Sequence, residues 1–75
     1  MAVTVKKVMK VREDIEAVKA KLEEFIEHKE EVLANAEDQE YPNEERIEKI
    51  NAQIEVLEEA MESLVTTIDT LEDYE

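Results

Sequence analysis

The sequence predicts an all-α protein, an antiparallel two-helix hairpin of coiled-coil type that dimerises into a four-helix bundle. Three observations carry this expectation. Apolar residues recur at alternating intervals of three and four along two segments; the one stretch able to break a helix lies between them; and the two ends of the chain carry opposite charge.

In the first segment the repeat runs Val8, Val11, Ile15, Val18, Leu22 and Phe25, is interrupted by Lys29, and resumes at Val32 and Ala36. This spacing puts the apolar groups on one stripe of a helix and favours helix-on-helix packing with a left-handed supercoil. With 41% charged and 4% aromatic residues the composition alone would suit a solvated tail. A disordered chain, however, has no reason to keep a 3.5-residue apolar repeat. Helix 1 is expected over about 4–37. The stem of Lys29 is expected to lie along the seam while its ammonium reaches out to Glu30 or Glu37; a role in fixing register is the alternative.

Glycine is absent and Pro42 is the only proline, so the stretch from Glu37 to Asn43 is the turn, centred on 38–42. Pro42 disfavours helix at Tyr41, Asn43 is a suitable N-cap, and Glu44 and Glu45 fall in the first turn, where the helix dipole favours carboxylates. Helix 2 is expected over about 43–73. Its seam reads Ile47, Ile50, Ile54, Leu57, Met61, Leu64, Ile68 and Leu71 without interruption. Two rods of about 45–50 Å joined by a short turn fold back on each other, giving one domain over 1–75.

Charge supports the antiparallel pairing. Residues 1–12 hold Lys6, Lys7, Lys10 and Arg12 and no acid, whereas residues 50–75 hold Glu55, Glu58, Glu59, Glu62, Asp69, Glu72, Asp73 and Glu75 and no base. A hairpin brings these ends together, and such solvated pairs set direction more than they stabilise.

One seam is a small core for a chain that buries only about 60% of its unfolded surface. Ile26 and Leu33 on helix 1, and Val56, Ala60 and Val65 on helix 2, flank the stripes and are the candidate oligomer interface. A homodimer is expected because twofold symmetry is the commonest way for identical chains to pair, with a higher oligomer as the alternative.

Most chemistry is excluded. A formal charge of −13, from Lys+Arg 9 against Asp+Glu 22, argues against direct nucleic-acid binding. Without glycine there is no phosphate loop or dinucleotide fingerprint, and without cysteine no disulfide or thiolate site, so no cofactor is expected. Ser63, the only serine, and His28, the only histidine, stand on different helices, and no hydrolase is inferred. A di-iron bundle needs inward glutamates and an E-x-x-H pair. Phe25 stands three residues before His28, while Glu24, Glu27 and Glu31 project away from the stripe, so no metal site is expected and His28 is read as a boundary residue.

The basic start of the chain, residues 1–12, resembles an amphipathic anchor, but its valines are small and anionic lipid would repel the acidic body, so no membrane partner is expected. No apolar run approaches the ~18 residues of a membrane span, and no secretory signal is expected at the N-terminal stretch. A cytoplasmic chain is the expectation.

The acidic surface has two readings. Exposed glutamates form helices well and keep a bundle soluble. Alternatively, a rod studded with carboxylates imitates DNA and captures a basic protein, as anti-restriction or anti-CRISPR inhibitors of phages and mobile elements do; Glu55, Glu58, Glu59 and Glu62 are the candidate contacts. The architecture looks like that of the small RNA-binding plasmid regulator that dimerises as a four-helix bundle, although the acidic face is unsuited to RNA. The expected function is that of a non-catalytic, acidic, self-associating hairpin acting through protein–protein interaction, with DNA mimicry as the alternative.

Overall fold

The structure is a computed structural model that describes residues 3–74. It is all-helical, with helix α1 over Val5–Glu37 and helix α2 over Glu44–Glu72 folded back as a hairpin. Met1, Ala2 and Glu75, part of the expected domain over 1–75 and, for Met1 and Ala2, of the basic N-terminal stretch, lie outside the described residues. The molecule is a rod of 61 × 16 × 15 Å. Its radius of gyration is 17.5 Å, against about 11 Å for a compact chain of this length.

Local chemistry sets the ends of the rods. Thr4 caps α1 by accepting a hydrogen bond from the Lys7 amide on its hydroxyl oxygen at 3.3 Å. Asn43 caps α2 in the same way, its side-chain oxygen accepting from the Arg46 amide at 3.2 Å, and Glu44 and Glu45 occupy the first turn. At the end of α1 the Asp38 amide donates to the Ala34 carbonyl at 3.0 Å, and the Gln39 side-chain amide satisfies the Asn35 carbonyl at 3.2 Å. The turn forms without a left-handed residue: no described residue has positive φ. Near the end of α2, the hydroxyls of Thr66, Thr67 and Thr70 donate back to the carbonyls of Glu62, Ser63 and Thr66, which satisfies these poor helix formers. The Tyr74 hydroxyl donates to the Val3 carbonyl and ties the open end of the hairpin together.

The core is concentrated near the turn. Ala36, Ile50 and Ile54 are buried together, with Val32, Leu33 and Ile47 packed against them, and Ile68 is buried separately toward the open end. On α2 every expected seam residue is buried or half-buried. On α1 the seam is displaced. Val8, Ile15, Leu22, Lys29, Val32 and Ala36 take part, but the alternating positions are Arg12, Lys19, Ile26 and Leu33, while Val11, Val18 and Phe25 are exposed.

The helix is therefore turned by roughly 50° from the orientation that the apolar repeat predicts, half of one residue step. Leu33 packs a bulky branched group against the core cluster, Ile26 is half-buried on the same row, and Arg12 and Lys19 extend the row with aliphatic stems. Their charged heads stay at the groove mouth: Arg12 pairs with Glu72 of α2 and lies 3.7 Å from Glu16, and Lys19 lies 3.5 Å from Glu23. Of the four basic residues expected to meet the acidic end of α2, Arg12 does so. Lys10 instead pairs along its own helix with Asp14 at 3.2 Å. Lys29 also departs from expectation, because its ammonium donates to the Gln53 side-chain oxygen at 2.8 Å rather than reaching Glu30 or Glu37. Gln53 stands opposite on α2 and half-buried, so the ammonium finds an acceptor without leaving the seam.

Candidate functional site

The hairpin has two broad sides, and the two grooves between its helices differ in chemistry. On one side Lys29 meets Gln53, and the groove there is lined by Lys29, Lys49, Ala52, Gln53, Val56 and Leu57. It continues toward the turn past Val32, Asn35, Tyr41 and Arg46. Helix periodicity puts Phe25 and Val32 one turn to either side of Lys29, with Val18 and Val11 continuing the row at intervals of seven. Exposure is 51% for Val11, 48% for Val18, 56% for Phe25 and 64% for Val56, so this side shows water an apolar row that runs from Val11 to Phe25 and ends at Val32, half-buried against the core cluster.

The same face is nearly free of acid. Its α2 edge reads Arg46, Lys49, Gln53, Val56, Ala60, Ser63, Thr67, and its α1 edge reads Lys7, Asp14, Lys21, His28, Asn35. Asp14 is the one carboxylate in a chain that holds 22 acids. The opposite groove is charged throughout: Arg12, Glu16, Lys19, Glu23, Asp69 and Glu72 surround Val65 and Ile68. Glu55, Glu58, Glu59 and Glu62 fall at i, i+3, i+4 and i+7 and form one exposed stripe along the outer face of α2. Among the described residues none of these four belongs to an ion pair.

The candidate interface residues are thus separated. Ile26 and Leu33 are half-buried in the hairpin's own seam, Leu33 against the Ala36–Ile50–Ile54 cluster. Val56 is exposed on the acid-poor face with half-buried Ala60 one turn further along. Val65 belongs to the charged side. Val11, Val18 and Phe25 exchange roles with Ile26 and Leu33: expected in the seam, they stand outside it. The signal was present in the sequence, since an α1 stripe three positions wide is broader than one neighbouring helix can cover.

Little catalytic chemistry is assembled. His28 is exposed rather than at the boundary of the core, and Ser63 is exposed on α2 with its carbonyl accepting from the Thr67 hydroxyl at 2.9 Å. Among the described residues no three histidine or carboxylate side chains gather about a point where an ion could sit. No described helix is long and apolar enough to cross a membrane. No family model matches the chain, and comparison with curated proteins and with solved structures finds no significant match. What the fold and its surfaces define is a helical hairpin with one apolar, acid-poor face and an acidic remainder.

Proposed function

We propose that the protein is a non-catalytic interaction module that self-associates as a homodimer through its acid-poor face and presents its carboxylates outward. The observation that carries this reading is the thinness of the hairpin's own core. Four side chains are buried, Ala36, Ile50, Ile54 and Ile68, and none reaches complete burial among the described residues. The accessible surface is 6210 Å², whereas a compact monomer of 8.7 kDa exposes about 4,700 Å².

A second copy accounts for both facts. A face ~45 Å long offers, at the 16 Å width of the rod, about 700 Å² per copy, close to the ~800 Å² per partner of a standard interface. Charge restricts the choice of face. Two chains of formal charge −13 repel, and the side carrying Phe25 and Val56 is where they can meet without stacking carboxylates. The test is a dilution series followed by helicity. A coupled dimer melts at a lower temperature as it is diluted, and a melting temperature independent of concentration contradicts the reading.

A second reading is favoured by the stripe Glu55, Glu58, Glu59 and Glu62, which stays outside the proposed dimer face and carries no compensating cation. In this reading the dimer displays carboxylate rows that imitate DNA phosphates to a basic protein, in the manner of an anti-restriction or anti-CRISPR inhibitor. Charge reversal at the four positions would abolish capture of that partner while leaving helicity and dimer mass unchanged. Retained binding after reversal would remove the mimicry reading.

A further inference from the structure

Resting on the self-association reading, we infer that the second copy lies antiparallel to the first, with the two turns at opposite ends of the bundle and α1 packed along the partner's α1. A twofold axis can bring these faces together in two ways. With the axis along the rod, the turns sit side by side and α1 lies against the partner's α2. With the axis across the rod, the turns separate and like helices pair.

Apolar matching selects the second arrangement. The row Val11, Val18, Phe25 and Val32 is evenly spaced about a point between Lys21 and Leu22. Reversed upon itself, it sets Phe25 against the partner's Val18 and Val32 against the partner's Val11. In the other arrangement the whole row meets an α2 edge that is apolar only at Val56 and Ala60, whereas pairing like helices keeps the row against apolar groups and confines Ser63 and Thr67 to the contact between the two α2 helices.

Charge along the rod agrees. From Glu37 to Glu45 the turn carries Glu37, Asp38, Glu40, Glu44 and Glu45 and no base, so side-by-side turns would crowd two such clusters. The antiparallel arrangement sets each turn beside the start of the partner's α1, with Lys6 level with the partner's Glu37 and Lys7 within one turn of it. The same pairing answers a local oddity. Helix α1 has no acid in its first turn and no base in its last, and with Lys6, Lys7 and Glu37 at its ends its charges run against its own dipole. A reversed neighbour places opposite charge beside both ends.

The experiment is a single spin label at exposed Glu40, introduced as Glu40→Cys in a chain that otherwise holds no cysteine. Label-to-label distance is measured by pulsed dipolar spectroscopy, alongside the sedimentation mass of the same sample. The antiparallel dimer predicts labels about 55 Å apart, from a rise of 1.5 Å per residue on either side of the axis. A dimeric mass with labels within about 20 Å, the range set by neighbouring helices, overturns the orientation and keeps the self-association. A monomeric mass overturns the self-association and this inference with it.

Discussion

Lys29 donates a hydrogen bond to Gln53 across the seam at 2.8 Å, joining residues 24 apart in sequence in the part of the hairpin nearer the turn. It is the polar interruption in the apolar repeat of α1, and its neighbours are Val56 and Leu57. A polar residue at such a position specifies register at a cost in stability. Lys29→Leu is therefore expected to raise hairpin stability by about 1 kcal/mol, because an apolar side chain extends the buried surface. Thermal unfolding followed by circular dichroism checks this; a clear loss of stability would show that the Lys29–Gln53 bond holds the helices together.

The core near the turn should dominate the energetics. Ile54→Ala removes a buried side chain from the Ala36–Ile50–Ile54 cluster and is expected to cost about 2–5 kcal/mol, a large share of a small chain's stability. Glu59→Ala, at an exposed position on the outer face of α2 away from the proposed dimer face, should change stability by less than about 0.5 kcal/mol. Urea denaturation of the two variants separates them, and equal losses would contradict the placement of the core.

Dimer formation should depend on one side of the rod. Phe25→Glu introduces a carboxylate into the apolar row and is expected to weaken association by at least tenfold. Val65→Glu adds the same charge to the side already lined by Glu16, Asp69 and Glu72, and should leave the association constant within about twofold. Sedimentation velocity at matched concentrations reads both, and the reverse order of effects would move the interface to the charged side.

The caps should differ in weight. Asn43 accepts from the Arg46 amide beside the packed core, so Asn43→Ala is expected to destabilise by about 1 kcal/mol. Thr4 caps an exposed end far from the buried cluster, so Thr4→Ala should affect mainly local fraying there. Hydrogen exchange resolves the two: Asn43→Ala should speed exchange along α2, and Thr4→Ala only in the first turns of α1.

The helices, the turn and the whole α2 seam are legible in the sequence because each rests on a local signal. Pro42 and Asn43 punctuate the chain, and α2 offers one unbroken apolar stripe. The α1 seam is not, because its apolar surface is too wide. Val11, Val18 and Phe25 read as seam residues when apolar positions alone are counted, since Arg12 and Lys19 score as polar although their stems pack as hydrocarbon. The choice between the two rows is made by tertiary packing: Leu33 packs against the core cluster and Ile26 is half-buried on the same row, and that rotation turns Phe25 outward. The acid-poor face is likewise legible only after the rotation is known, since it is assembled from one edge of each helix.

The most direct measurement is the mass of the unlabelled chain by sedimentation equilibrium at micromolar concentration and moderate salt. The account predicts twice the 8.7 kDa of one chain, with the dimer persisting as salt rises because apolar contacts hold it. A stable, helical species of 8.7 kDa across the same concentrations would contradict it.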